Sequence, residues 1–165
     1  VFILVWQMGL LSSPHPLLGK PAPPLRLETL EGDQVELSAH YGKEVVVLDF
    51  FATWCPPCRE GLPVIARLAQ AYAGQGVAVY AVNLKESSET VRAFLEEEGL
   101  DLRVMLDRRQ EAAQAFEVGS VPHTVIIGKD GMIEAVHVGL ALRMERRLRD
   151  AVDALLQGEH LVPRP

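Results

Sequence analysis

Apolar and polar positions change period several times along the chain, and each change marks an element. Leu25-Arg-Leu-Glu-Thr-Leu alternates with period two, breaks at Glu31-Gly32-Asp33 and resumes through Gln34-Val-Glu-Leu, which predicts a hairpin. Val45-Val-Val-Leu-Asp-Phe-Phe51 has no polar alternation, the signature of a strand buried on both faces. Leu62, Ile65, Leu68, Ala69 and Tyr72 then recur at helical spacing until Gly74 and Gly76. Val77 to Asn83 reads as a second buried strand. Ser87 or Ser88 caps a helix carrying Val91, Phe94 and Leu95, closed by Gly99. Arg103 to Leu106 is a short strand, and Asp107 with Gln110 has the form of a capping box for a helix holding Ala113 and Phe116. Thr124 to Ile127, the turn Gly128-Lys-Asp-Gly131 and Met132 to Val138 predict another hairpin. Met144, Leu148, Val152 and Leu155 share one side of a last helix, and there is no internal repeat.

Strands alternating with helices, followed by a closing hairpin and helix, predict an α/β fold with a mixed central sheet. The two early βα units call for parallel strands, and the late hairpin must be antiparallel.

Composition narrows this further. A chain of 165 residues, 48% apolar and 23% charged, is long enough to bury a core as one domain, and it is neither disordered nor low-complexity. Sixteen Lys and Arg against 22 Asp and Glu argue against a nucleic-acid partner. The ends differ from the middle. Residues 1–11 are uncharged and mostly apolar, and Ser12 to Pro24 contains five prolines. The expectation is that residues 1–20 are the remnant of a signal anchor with a Pro-rich spacer, residues 21–158 the folded domain and residues 159–165 a frayed tail. The competing reading of the apolar start is an N-terminal element packed on the domain.

The only two cysteines, Cys55 and Cys58, stand in one Cys-Pro-Pro-Cys where the first buried strand gives way to a helix. A helix N-terminus stabilises an adjacent thiolate, so Cys55 is the expected nucleophile and Cys58, one turn inside, the resolving thiol. Pro56 and Pro57 suit a first helical turn. Structural zinc needs four ligands, and no second Cys pair or His-x-x-x-His accompanies these two. Haem attachment needs a His where Arg59 stands. Asp49 lies mid-strand among apolar residues, where desolvation raises a carboxyl pKa and suits it to carry a proton.

Phe50-Phe-Ala-Thr-Trp-Cys-Pro-Pro-Cys58, the Val121-Pro122 dipeptide before the late hairpin and the element order together resemble a thioredoxin-fold protein. The front hairpin, Gly42-Lys43 and the added αβ segment at 87–106 resemble the TlpA/ResA-type thiol–disulfide oxidoreductases, over residues 21–157. The resemblance implies a thioredoxin-like fold with an N-terminal β-hairpin and a central αβ insertion. It also implies an extracytoplasmic, membrane-tethered enzyme, often serving cytochrome c maturation. Its partners would be protein thiols and disulfides and a membrane electron donor, with the Cys55–Cys58 disulfide in place of any bound cofactor and a monomeric chain.

By the same resemblance Pro122 is a cis-proline, Val121 offers its backbone to a substrate strand, Trp54 flanks the disulfide, and Asp49 deprotonates Cys58. One position departs from the pattern. The subgroup carries a Glu three residues after the second Cys and a Pro five after; Pro63 matches, but Gly61 fills the first place and the Glu falls one residue earlier, at Glu60. That displaces the side chain by about 100° around the helix, leaving the proton work to Asp49. Because neither proline between the cysteines can stabilise a thiolate, the pair is expected to act as a reductant or specific thiol donor. A competing function is a copper-carrying module using Cys55, Cys58 and His123, since soft thiolates select Cu(I). A peroxiredoxin relative is a third; Ala52 stands where its Thr would be.

Overall fold

The computed structural model describes residues 14–164. The apolar start, residues 1–11, lies outside them. A five-stranded mixed sheet runs in the order β5(Val104–Asp107), β4(Val77–Leu84), β3(Val45–Phe51), β6(His123–Ile127), β7(Ile133–Val138). The β3–β4 and β4–β5 pairs are parallel, and β6 is antiparallel to both β3 and β7. A separate hairpin, β1(Arg26–Glu28) with β2(Gln34–Glu36), precedes it. This is the mixed α/β architecture expected from the alternation of strands and helices.

Every residue of β3 is buried, as its unbroken apolar run requires. Its alternation sorts the two faces of the sheet. Val45, Val47 and Phe51 pack with Cys58, Leu62 and Ile65 of α1(Pro56–Ala71), with Val91 and Phe94 of α2(Ser88–Glu98), and with Leu148 and Val152 of α4(Met144–Leu156). Val46, Leu48 and Phe50 face the other layer, made by the hairpin, α3(Glu111–Ala115) and its following Phe116, and the chain around Leu17 and Ala22. Asp49 therefore shares the face of the cysteines.

Each edge strand of the sheet is partly covered by a flanking segment, which shortens its free edge. Along β5, the Leu30 amide donates to the Val104 carbonyl at 3.0 Å. Beside β7, Gly19 donates to the Ile133 carbonyl at 2.8 Å, and Ile133 donates back to Lys20 at 2.9 Å. Residues 14–20 are thus docked on the domain rather than forming a free spacer. Composition could not show this, because prolines mark an extended chain without saying what it lies against.

The C-terminal segment also differs from the frayed tail expected. The buried carboxylate of Glu134 accepts from the Leu161 amide at 2.9 Å and the Val162 amide at 3.3 Å, and pairs with His160 and Arg164. At α2 the expected caps are present: Ser87 Oγ accepts from Thr90 N–H, and Gly99 ends the helix at φ 63°. The capping box at α3 is not formed. Gln110 sits at φ 57° and makes no side-chain cap, while Asp107, the last residue of β5, accepts from the Ala112 and Ala113 amides at 3.2 and 2.8 Å.

Candidate active site

Cys55 is the N-cap of α1, with extended backbone, and Pro56 and Pro57 fill the first helical positions. There the missing N–H groups have no intrahelical partner to lose. Cys55 and Cys58 are joined in a disulfide, and the Cys58 amide donates to Cys55 Sγ at 3.2 Å. The two sulfurs differ in access: Cys55 is 4% exposed and Cys58 is fully buried. A reagent from solvent meets Cys55 first, and the helix N-terminus is placed to stabilise the thiolate released there.

The surface around this sulfur is apolar and open. Trp54 is 73% exposed. It borders a groove of about 580 Å³ lined also by Cys55, Leu84, Lys85, Val118 and Val121. The Val121–Pro122 peptide bond is cis, and the Val121 carbonyl oxygen lies 3.7 Å from Cys55 Sγ. Trp54, Val121 and Pro122, from two distant stretches of sequence, therefore meet at the disulfide.

Asp49 is buried beneath the site on the α1 face of β3. Thr124, its cross-strand neighbour, donates its hydroxyl to Asp49 Oδ1 at 2.7 Å. Burial pushes the carboxyl up to about 7, and the Thr124 hydrogen bond offsets only part of that. A carboxyl poised there exchanges a proton readily at neutral pH. Glu60 is exposed on α1. Gly61 is buried where a Cβ would meet Leu140 Cδ1 at 3.4 Å and Met144 Sδ at 3.8 Å. The chain entering α4 has closed over the position where the subgroup has its glutamate.

His123 is not part of this site. Strand alternation turns it to the opposite face, where its ring lies 6.0 Å from that of Phe50 and 5.2 Å from that of His15. Burial, with a smaller contribution from His15, lowers its pKa to about 4. The copper set Cys55, Cys58 and His123 is thus divided between two layers of the fold. The one cluster of possible metal ligands among the described residues, Asp130, Glu134 and His160, lies in the C-terminal docking contact and already holds Arg164.

Sequence reasoning missed Glu86. Its carboxylate accepts from the Thr53 amide at 2.9 Å, the Thr53 hydroxyl at 2.5 Å and the Asn83 side-chain amide at 2.7 Å. The available signal was a carboxylate three residues after Asn83, near the end of a buried strand.

The AhpC/TSA family model matches residues 18–136, which takes in the disulfide, Asp49 and the cis-proline. The chain belongs to this family. Within it, the thiol–disulfide oxidoreductase ResA of Geobacillus kaustophilus is 35% identical over 133 residues, spanning 79% of this chain and 76% of that protein. ResA of Bacillus subtilis is 33% identical over 141 residues, 86% of this chain and 77% of its own length. Among solved structures, a thiol:disulfide interchange protein of the thioredoxin family from Chlorobium tepidum superposes with a TM-score of 0.72 at 25% identity, covering 82% of this chain and 95% of its own. This AhpC/TSA family member is a thioredoxin-like thiol–disulfide oxidoreductase of the ResA kind, carrying its Cys55–Cys58 pair at the start of α1.

Proposed function

We propose that Cys55 attacks and Cys58 resolves in disulfide exchange with protein substrates at the Cys-Pro-Pro-Cys site, and that the pair works as a reductant or specific thiol donor. The observation that carries this reading is the unequal burial of the two sulfurs at a helix N-terminus beside an exposed Trp54. In the reducing direction, the Cys55 thiolate attacks a substrate disulfide and one substrate thiolate leaves. Cys58, deprotonated by Asp49, then attacks Cys55 Sγ, releasing the second substrate thiolate, so two electrons pass to the substrate and the Cys55–Cys58 disulfide forms. Trp54 and the backbone of Val121 seat the substrate segment beside Pro122.

The TlpA/ResA resemblance supports the finer reading. The substrates are Cys-x-x-Cys-His disulfides of the cytochrome c maturation kind, and a membrane protein recharges the dithiol. The enzyme works as a monomer outside the cytoplasm, tethered through the apolar residues 1–11, with no cofactor beyond its disulfide. Among the described residues no helix is long and apolar enough to cross a membrane. The direction is tested by equilibrating the pair against dithiothreitol and glutathione buffers. The reading expects a reduction potential below about −200 mV, towards the thioredoxin range. A value near −120 mV, that of a strong oxidant, would sink it.

A further inference from the structure

The segment between β4 and β5 is tied at one end to the loop before Cys55 and at the other to the first turn of α1. At its start, the Glu86 carboxylate receives three donors, two of them from Thr53 in the loop that leads into Cys55. That loop is a tight turn in which the Cys55 amide donates to the Ala52 carbonyl at 3.3 Å. Asn83 is itself oriented, because its side-chain oxygen accepts from the Glu86 amide at 3.2 Å. At the far end of the segment, Arg59, the residue after Cys58, pairs with Glu98 at 2.5 Å and lies 5.4 Å from the centre of the Phe94 ring.

We propose that Glu86 is a positioning residue for the thiol chemistry, holding Thr53 so that Cys55 stays at the N-terminus of α1 and Trp54 at the rim of the groove. This rests on the reading of Cys55 as the attacking thiol. Three donors converge on one side chain, and the Thr53 and Asn83 amides share a single oxygen of it, so the position calls for a side chain with an acceptor oxygen. The half-buried charged acceptor also makes these the stronger kind of hydrogen bond. Anchoring the turn matters for reactivity because thiolate stabilisation by a helix end is lost within about one turn of it. The segment between β4 and β5 thereby braces the Cys-Pro-Pro-Cys from both sides.

The sign of one measurement separates positioning from simple charge. Removing a negative charge near Cys55 would lower the thiol pKa and speed its alkylation at pH 7. Loosening the turn would let the sulfur drift from the helix end, raising the pKa and slowing alkylation. The rate of iodoacetamide alkylation of Cys55 in the reduced full chain is therefore followed from pH 5 to 10. For Glu86→Ala, which leaves all three donors without their acceptor, the expected result is a fall of about threefold or more at pH 7, with the profile displaced to higher pH.

Glu86→Gln removes the charge but keeps an oxygen for the Thr53 and Asn83 amides, which share one acceptor, and turns its NH2 to the Thr53 hydroxyl, which can accept. It should keep the profile within about twofold of wild type. Thr53→Val, which deletes only the hydroxyl donor, should shift the profile the same way as Glu86→Ala by less, and it carries the test if Glu86→Ala does not fold. Unchanged or faster alkylation at pH 7 in folded Glu86→Ala and Thr53→Val, or a Glu86→Gln profile displaced as far as that of Glu86→Ala, would overturn the proposal. The readout needs no protein substrate, so failure of the enzyme to exchange with proteins defeats the functional reading alone.

Discussion

Replacing Asp49 by Asn removes one ionisation from the buried layer while keeping an acceptor for the Thr124 hydroxyl. The folded protein holds this carboxyl at about 7 against an ordinary value of 3.8. The folded state therefore binds the proton more tightly than the unfolded chain. Stability from this group is fully present below pH 3.8 and is lost as pH rises through about 7. At about 1.4 kcal/mol per tenfold change in affinity, the separation corresponds to about 4 kcal/mol above pH 7, an upper value if water relaxes around the charge. Urea denaturation of the oxidised protein and of Asp49→Asn, repeated between pH 4 and pH 8.5, measures it directly. The variant should match the wild type near pH 4 and gain on it steadily to a plateau above pH 7. A gap that does not change with pH would refute the reasoning, because then Asp49 does not ionise across this range. The same variant should slow the attack of Cys58 on a mixed disulfide at Cys55 and flatten its pH dependence.

Other consequences follow from groups outside the site. His123, lowered to about 4, contributes stability that is present above pH 6.5 and lost as pH falls towards its folded value. His123→Phe should remove about 2 kcal/mol of that acid sensitivity, read as a smaller change in urea midpoint between pH 7.5 and 4.5; wild-type sensitivity would contradict it. Glu134→Gln should release the C-terminal segment, speeding hydrogen exchange of the Leu161 amide by about tenfold or more while the β3 amides keep their protection.

The legible parts of the sequence were those where one local pattern has one physical solution. The β-branched, largely apolar runs of β3 and β4 read as central strands, and Cys-Pro-Pro-Cys at a strand–helix junction marks the reactive pair. Asp49 stood out because a carboxylate inside such a run has no solvent to face. The α3 cap was misassigned because β5 continues to Asp107 and the turn places Gln110 at positive φ, so Asp107 caps from further back. Docking of residues 14–20 and 159–164 depends on partners on β7 that no local pattern names. Glu86 was hidden for a similar reason: its three donors come from Thr53 and Asn83, and the Thr53 contact exists only once β3 and β4 pair. His123, adjacent in sequence to the cis-proline, leaves the competing copper set because alternate strand residues point apart and it lies on the Phe50 face.

The central claim is that the less buried Cys55 makes the bond to substrate. The direct measurement uses reduced Cys58→Ser with a peptide bearing a Cys-x-x-Cys-His disulfide, and then mass spectrometry of the trapped adduct. The account predicts a stable mixed disulfide through Cys55, while the reciprocal Cys55→Ser protein forms an adduct at least about 100-fold more slowly. Equal trapping by the two variants, or faster trapping through Cys58, would contradict it.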